Sequence, residues 1–355
     1  MSLVINGRFL GQAVTGVQRV ARELVAAADA LASEGRWPAT RLVAPAGAAL
    51  PSLRRIAVET AAPFSGQVWE QLILPRAARG RWLLNLGNTA PLAAGAQQTV
   101  LLHDAGAFDT PGSYSVAFRT WYRLLQRALA RLRVQIVTVS RFSRSRIAAA
   151  LGLDPASIAV ISEGAEHILR KPADKAVLER NGLLPGRYVL AVGTGAAHKN
   201  LALLAAARGY LVERGIVLAV AGRADPSVFR PAGALEGVRS LGRVSDAELR
   251  ALYENAAALL FPSRYEGFGL PPLEAMACGC PVIAAAAGAV PEVLGEDALL
   301  FPPTDPHALV SALDRLLGQP NLASRLREAG RKRAERFTWR AAAAALRDTL
   351  PEGLD

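Results

Sequence analysis

Several residue types and patterns are scarce in this 355-residue chain, and each scarcity excludes a class of protein. The 2 cysteines, Cys278 and Cys280, both lie in ACGCPV, which excludes a disulfide-built fold and makes a poor metal site. No run approaches the roughly 20 apolar residues of a membrane span, and the N-terminal MSLVINGR lacks the apolar core of a signal peptide. We therefore expect a cytoplasmic protein without a metal site.

Carboxylates are missing from one long stretch of the basic half of the chain. Residues 1–165 contain 18 Arg and 9 acidic side chains, a formal charge of +9, whereas the remaining residues carry +2. No Asp or Glu occurs from 110 to 153. The arginines of that stretch are Arg119, Arg123, Arg127, Arg131, Arg133, Arg141, Arg144 and Arg146. Such a surface favours an anionic partner.

The length and the hydrophobic pattern predict two α/β domains. A chain of 355 residues is too long for one ordinary core. Short apolar runs alternate with amphipathic segments, as buried parallel strands alternate with helices. We expect domains at 1–165 and 166–340, with a helix at 341–355 that packs back on the first. The apolar runs are 3–5, 41–44, 82–86, 99–103, 135–140, 188–194, 216–222, 258–263 and 281–286.

The strongest chemical signal is the segment PSRYEGFGLPPLEAMACGCPVI. A strand that ends near Phe261 is followed by a glycine-containing loop and by a helix that should begin near Pro271 and stop at Gly279. The free N–H groups of the first helical turn attract anions, and Gly267 and Gly269 let a ligand approach the backbone closely. The loop is therefore predicted to bind a diphosphate or a sugar hydroxyl.

Two carboxylates bracket this loop. Glu266 lies on the loop and Glu274 is expected in the first helical turn, where both could accept hydrogen bonds from the diols of one ligand. Taken singly, each carboxylate has another interpretation: Glu274 only complements the helix dipole, and Glu266 is solvated.

A second helix signal in this half of the chain is the capping box that begins at Ser245 and ends at Glu248.

These motifs resemble the retaining glycosyltransferases of family 4. The resemblance rests on the E-x7-E spacing of Glu266 and Glu274, with GFGLPP inside it and EAMACGCPVI after it. It implies the GT-B fold, an α/β architecture of two facing Rossmann-like domains with a cleft between them. It extends through 15–25, 100–104, 137–147, 192–200, 220–225 and 241–256.

The resemblance implies a metal-independent transfer of a hexose from a nucleotide-diphosphate sugar, with retention of configuration and without a cofactor. GDP-mannose or a related GDP-sugar is slightly favoured as the donor. The implied acceptor is a glycan, free or linked to a polyprenyl diphosphate, in the synthesis of surface polysaccharide or glycoconjugate. The open alternatives are an epimerase of nucleotide sugars with the same fold and a non-catalytic subunit that binds sugar nucleotides.

The resemblance also implies roles for particular residues. Glu274 would bind the donor ribose, Glu266 a hydroxyl of the donor sugar, and Val244 the base through its backbone. The implied catalytic residues are His103, Lys199 and Glu266. The implied donor-binding residues are Gly16, Thr194, Lys199, Arg223, Val244, Glu266, Gly267, Phe268, Gly269, Leu270 and Glu274.

Lys199 is singled out by composition as well, because only 4 of the 41 basic residues are lysines. A compact ammonium suits a diphosphate leaving group. Arg223 either adds a second charge there or is a surface arginine. Many family members have Arg in place of Thr194 and Pro-Arg in place of Ala197 and His198, so the phosphate contacts here are expected to depend on Lys199 and Arg223.

His103 follows a strand, where a lone histidine is more often packed or solvated than functional. The resemblance reverses that expectation, because family members place this histidine against the reacting sugar or acceptor, and Asp104 could orient its ring. His167 and His307 lack such a context. Glu163 stands where the family often has Asn before the interdomain glycine.

Two other classes fit the sequence less well. A nicotinamide oxidoreductase is disfavoured because GTGAAH and GFGLPP both lack the third glycine of the dinucleotide fingerprint. Nucleic acid is disfavoured because no recognisable stacking module is present.

The arginines in FRTWYRLLQRALARL recur every fourth residue, which places Arg119, Arg123, Arg127 and Arg131 along one helix face. One interpretation is a solvated face whose apolar side lies in the core. The other is a surface that binds anionic lipid or polyprenyl diphosphate, which would make the protein peripheral on the inner face of the cell membrane.

Overall fold

The computed structural model describes residues 2–194, 196–222 and 238–354. The chain divides into two compact units, one made of 1–111, 115–164 and 339–355 and the other of 112–114 and 165–338. In each unit the described strands form one parallel sheet on which helices pack. No helix within the described residues is both long and apolar enough to cross a bilayer.

The first unit contains seven described strands. They are β1 (Leu3–Asn6), β2 (Thr40–Pro45), β3 (Ala57–Ala61), β4 (Trp82–Asn85), β5 (Gln98–Leu101), β6 (Gln135–Thr138) and β7 (Ala159–Val160). Their order in the sheet is β3-β2-β1-β4-β5-β6-β7. The helices are α1 (Gly16–Ser33), α2 (Gly66–Leu72), α3 (Leu74–Ala77), α4 (Gly106–Asp109), α5 (Val116–Arg131), α6 (Arg141–Leu151) and α14 (Trp339–Thr349).

The C-terminal helix α14 packs on α1 within this unit. Trp339 is fully buried, and the guanidinium of Arg340 donates to both carboxylate oxygens of Glu34 at 2.7 and 2.6 Å. Burial of Trp339 holds α14 against the unit, and the bidentate pair between Arg340 and Glu34 is directional. Together these contacts fix α14 against α1.

The second unit contains six described strands. They are β8 (Tyr188–Val192), β9 (Val217–Ala221), β10 (Val238–Gly242), β11 (Ala258–Phe261), β12 (Val282–Ala285) and β13 (Leu299–Phe301). Their order is β10-β9-β8-β11-β12-β13. The helices are α7 (Ala176–Arg180), α8 (Leu204–Glu213), α9 (Asp246–Asn255), α10 (Leu270–Ala277), α11 (Val290–Leu294), α12 (Pro306–Gly318) and α13 (Pro320–Ala334).

Nine of these strands coincide with the apolar runs of the sequence, and the four others were not predicted. The unpredicted strands are β3, β7, β10 and β13, and each is an edge of its sheet. Edge strands are covered less completely than central ones: every residue of β3, β7 and β10 is at least partly exposed, and Phe301 is the one buried residue of β13. The strand β3, for example, reads AVETA and is largely exposed.

The two helix signals of the second unit are confirmed. Ser245 and Glu248 form both hydrogen bonds of a capping box at the start of α9, and α10 ends just before Gly279, whose φ is +72°. One detail of the expectation was wrong. Because α10 begins at Leu270, Glu274 lies past the first helical turn, where it is buried among neighbouring elements.

Candidate functional site

Most described candidate residues of the second unit lie on loops that follow the carboxyl ends of its strands, whereas Leu270 and Glu274 lie on α10. The loop after β8 is tied to the loop after β11 by the Arg264 amide, which donates to the His198 carbonyl at 2.8 Å. The buried Asn200 side chain donates to the carbonyls of Pro262 and Pro303, each at 3.1 Å. Asn200 has a left-handed conformation, with φ +54°, which asparagine tolerates better than most residues. Three loops are thereby held together beside Lys199.

Lys199 and Glu266, both predicted to be catalytic, form an ion pair. The Lys199 Nζ lies 2.7 Å from Glu266 Oε1, and the two side chains are only 19% and 11% exposed. The ammonium also lies 5.9 Å from the centre of the Phe261 ring. Because an ammonium has three donors, the pair leaves Lys199 able to donate to a further anion.

The Glu266 backbone is fixed by a turn that no sequence motif marks. The Ala289 amide donates to the Glu266 carbonyl at 3.0 Å. Gly288 has φ +63°, and a Cβ there would lie 2.6 Å from the backbone N and O of Glu266. Only glycine therefore allows this approach without displacing the loop.

The glycine-containing loop reaches α10 through Gly269. This residue is the N-cap, with φ +99° and ψ +53°, a conformation that favours glycine. Gly267, Phe268 and Gly269 are buried, and Leu270 is half-buried. The Phe268 ring packs edge-on against Phe337, with centroids 5.8 Å apart. The loop is thus held in one conformation by packing as well as by backbone geometry.

Glu274 is enclosed by two polar side chains. His167 Nε2 lies 2.9 Å from Glu274 Oε1, and the Tyr253 hydroxyl donates to Oε2 at 3.2 Å. All three side chains are buried. Nothing adjacent to His167 in sequence marks it as a site residue, since its contact with Glu274 joins residues 107 positions apart.

His198, which stands where many family members have Arg, contributes no positive charge at neutral pH. Its Nδ1 lies 2.9 Å from the Ser113 hydroxyl oxygen, and its ring stacks on Tyr114, two residues grouped with the second unit. Burial, and then the Lys199 charge, lower the pKa of His198 from 6.5 to about 4. Lys199 is therefore the cation that this turn supplies.

The other predicted donor-binding residues are less constrained. Thr194 is exposed two residues after the end of β8, and Val244 is half-buried between β10 and α9. Arg223 lies outside the described residues. Just before it, Gly222 has φ +134°, and a Cβ there would collide with the Gly193 carbonyl, so the loops after β8 and β9 approach closely.

In the first unit, His103 is buried, and both of its ring nitrogens have polar neighbours. Its Nε2 lies 3.1 Å from the Leu86 carbonyl and its Nδ1 3.6 Å from Glu163 Oε1. The His103 amide donates to Asn88 Oδ1 at 2.7 Å. The expectation named Asp104 as the residue that orients the ring. The structure places the Leu86 carbonyl and Glu163 beside the ring nitrogens, and one oxygen of Asp104 accepts from the Gly106 amide.

Gly16 is the first residue of α1 and is exposed. Thr15 and Gln18 cap this helix, and the Thr15 amide donates to Gln18 Oε1 at 3.2 Å. Nothing lies within 4 Å of a Cβ built on Gly16. This helix start is therefore open to a ligand.

The arginines of α5 are partly fixed to a neighbouring segment. Arg123 donates to the Ala107 carbonyl at 2.8 Å, Arg119 to the Pro111 carbonyl at 3.4 Å, and Arg127 lies over the Phe108 ring. The same helix exposes large apolar side chains rather than burying its whole apolar side. They are Val116, Phe118, Trp121 and Leu124, with 65%, 39%, 39% and 60% of their surface exposed.

The two cysteines are buried and unbridged. Burial raises the pKa of both thiols, that of Cys280 to about 12. Within the described residues, no group of three or more His, Cys, Asp or Glu side chains is arranged to hold a metal ion.

Comparison with known proteins gives the following similarities. Residues 178–333 match the family described as Glycosyl transferases group 1. An MMP alpha-(1->4)-mannosyltransferase from Mycolicibacterium hassiacum is 34% identical over 64% of this chain and 56% of its own. An O-antigen chain mannosyltransferase B from Escherichia coli is 33% identical over 67% of this chain and 65% of its own. The chain thus spans less than two thirds of the length of these relatives.

Among solved structures, a sucrose-phosphate synthase from Thermosynechococcus elongatus is similar over 97% of this chain and 96% of its own, with a TM-score of 0.75 and 21% identity. A likeness at this identity concerns the fold. It confirms the predicted GT-B architecture.

Proposed function

Because its C-terminal half carries a group 1 glycosyltransferase domain, we propose that this chain is a retaining glycosyltransferase of family 4 that transfers a hexose from a nucleotide-diphosphate sugar to a glycan acceptor. The observation that carries the proposal is the ion pair between Lys199 and Glu266 on the loop that leads through the Gly269 N-cap into α10, the helix that carries Glu274. The arrangement combines a cation for phosphate, carboxylates for sugar hydroxyls and a helix N-terminus for an anion.

In the proposed reaction, the bond between the anomeric carbon and the diphosphate oxygen breaks, and the diphosphate takes the electron pair. The acceptor hydroxyl attacks the same face, and its proton passes to the departing diphosphate. Lys199, Arg223 and the loop amides stabilise the negative charge that develops on the leaving group, which raises the rate because this charge is largest in the transition state. His103 contacts the reacting sugar or the acceptor, and Glu266 holds a donor hydroxyl.

The rest of the donor would be bound by the remaining predicted residues. Glu274 accepts from the ribose hydroxyls, and the Val244 backbone contacts the base. Gly16 and Thr194, both exposed, and the backbone of 267–270 contact the phosphates and the sugar. We propose a GDP-sugar, with GDP-mannose first, and a glycan acceptor of surface polysaccharide or glycoconjugate synthesis. The mannosyltransferase names of two relatives support mannose as the transferred sugar.

A thermal-shift screen of GDP, UDP, ADP and dTDP identifies the base, since ligand binding raises the unfolding temperature by mass action. Labelled NDP-sugar is then incubated with and without a polyprenyl-diphosphate-linked glycan. We expect acceptor-dependent transfer, with the product's anomeric configuration by NMR the same as the donor's. Isomerised donor would indicate an epimerase, and binding without turnover a non-catalytic subunit; an inverted product would contradict retention.

We further propose that the protein works in the cytoplasm, on the inner face of the cell membrane. The exposed Trp121 and Leu124 lie on the same helix as Arg127 and Arg131. Apolar and aromatic side chains beside arginines are typical of helices that lie in the interface of an anionic bilayer. A polyprenyl-diphosphate-linked acceptor would be presented at the same surface.

A further inference from the structure

The Glu274 carboxylate is held through both of its oxygens by side chains from separate elements. His167 lies on the helical turn Glu166–Leu169, Tyr253 on α9 and Glu274 on α10. The two contacts are 2.9 Å at Oε1 and 3.2 Å at Oε2. Rotation of the carboxylate about its side-chain bonds would therefore break at least one contact with a buried partner.

The environment keeps Tyr253 a hydrogen-bond donor. Tyr253 is fully buried, and burial, followed by the negative charge of Glu274, raises the pKa of its phenol well above the ordinary value. The hydroxyl therefore stays protonated and points its donor at Glu274. The carboxylate has about four acceptor positions, so two contacts leave it able to accept from a ligand.

Helix packing alone does not require this arrangement. Apolar side chains of similar volume fill such a space at least as favourably, because burying charged and polar groups carries a desolvation cost. What the three side chains add is a fixed direction for one carboxylate. Orientation of this kind matters most for a group that binds a diol, whose two hydroxyls lie in a defined geometry.

We propose that His167 and Tyr253 are positioning residues, which hold the Glu274 carboxylate in the orientation that accepts hydrogen bonds from the donor ribose. The inference rests on the proposed function, in which Glu274 binds that ribose. It assigns a role to a histidine near the start of the second unit that no adjacent motif marks.

The test measures how much more tightly the protein binds a nucleotide with a ribose than one whose sugar lacks the 2′ and 3′ hydroxyls; this ratio is the ribose preference. Dissociation constants are measured by calorimetry for GDP and UDP and for their 2′,3′-dideoxy forms. His167→Ala should weaken binding of the preferred ribonucleotide about tenfold and leave binding of its dideoxy form within about twofold. His167→Gln, whose amide keeps a donor near the position of Nε2, should restore most of the preference.

Tyr253→Phe removes only the hydroxyl and keeps the volume of the side chain, so it tests the same idea should His167→Ala fail to fold. It should lower the ribose preference several-fold. The matched control is Tyr188→Phe, which removes another buried hydroxyl, one that donates to the Leu252 carbonyl at 2.6 Å. That change should leave the preference intact even if it lowers stability.

A double-mutant cycle with Glu274→Ala separates ribose binding by Glu274 from the positioning role of His167. In the Glu274→Ala background, His167→Ala should cause no further loss of ribose preference. If Glu274→Ala itself keeps the wild-type preference, the proposed ribose site is wrong. If Glu274→Ala abolishes the preference while His167→Ala and Tyr253→Phe retain it, the positioning role is overturned and the proposed function stands.

Discussion

At the scale of single residues, the site combines side chains that sequence motifs mark with side chains that only their contacts reveal. Lys199 and Glu266 belong to recognisable motifs, and the structure pairs them at 2.7 Å. Asn200 and Gly288 hold the loops that carry this pair. Their roles come from long-range backbone contacts, which leave no local pattern in a sequence.

Replacement of the two charged donor-site residues should impair turnover without unfolding the protein. Lys199→Ala and Glu274→Ala should each lower kcat/KM by an amount equivalent to about 2 to 4 kcal/mol, because each removes a preorganised electrostatic contact. The matched controls are Lys332→Ala and Glu328→Ala, which alter an exposed pair of the same types. Steady-state kinetics with the preferred donor check this, and unchanged kcat/KM in both site variants would refute the site.

The depressed pKa of His198 predicts a loss of stability in mild acid. The unfolded chain takes up this proton near pH 6.5, whereas the folded protein takes it up only near pH 4. The part of the unfolding free energy that depends on a neutral His198 is therefore fully present above about pH 6.5 and is lost as the pH falls towards 4. Its size should be about 1 to 2 kcal/mol, allowing for partial exposure to solvent.

Urea denaturation between pH 7.5 and 4.5 checks this prediction. His198→Asn should flatten the pH dependence of the unfolding free energy relative to wild type. His307→Gln, which alters an exposed histidine, should leave it unchanged. Parallel curves for wild type and His198→Asn would show that another group causes the acid sensitivity.

At the scale of elements, the turn between β12 and α11 controls the position of the Glu266 loop. Gly288→Ala places a Cβ against the backbone of Glu266, so the loop must move. The matched control is Gly186→Ala, where φ is +70° and nothing lies within 4 Å of the Cβ. Gly186→Ala should cost about 1 kcal/mol of stability through backbone strain alone, and donor affinity should be unaffected.

Gly288→Ala should cost more stability than that control and should also weaken binding of the preferred nucleoside diphosphate sugar. Thermal unfolding and calorimetry measure the two effects. Equal stability losses with unchanged donor affinity in both variants would mean that the contact between Gly288 and Glu266 does not position the site.

The helix α5 supplies the second prediction at this scale. Wild-type protein should sediment with vesicles that contain anionic phosphatidylglycerol, and the binding should weaken with salt. Arg127→Glu combined with Arg131→Glu should weaken binding at least tenfold, because each arginine near such a surface contributes about 1 kcal/mol. Arg119 and Arg123 are left unchanged because they donate to backbone carbonyls.

The control for this experiment has the same net charge. Arg315→Glu combined with Arg325→Glu alters exposed arginines of the second unit and should leave vesicle binding close to wild type. Wild-type protein that ignores anionic vesicles at low salt would remove the membrane proposal without touching the transferase proposal.

At the scale of the whole molecule, the proposal assigns stabilisation of the leaving group to Lys199, Arg223 and the loop amides, and therefore to no divalent ion. Transfer should therefore continue after treatment with EDTA and gel filtration. Addition of Mg²⁺ or Mn²⁺ should change the rate less than about twofold. An enzyme that is inactive after chelation and restored by either ion would mean that metal supplies the leaving-group stabilisation.

The sequence by itself determined the central strands, the capping of α9 and the end of α10, and it singled out Lys199, Glu266 and Glu274 as candidate site residues. These features are local: a strand buried on both faces needs an apolar run, a helix end needs particular side chains, and loops at one edge of a parallel sheet meet.

Only the tertiary structure decided which strands form the sheet edges, which side chains surround Glu274 and which charge state His198 prefers. An edge strand keeps part of its surface outside the core, and its place at the edge is set by strand pairing in the folded sheet. The pKa of His198 depends on burial and on the neighbouring Lys199 in the folded state. His167 and Glu274 are 107 positions apart, and nothing in the residues around either one specifies the other, because their contact exists only after the chain has folded.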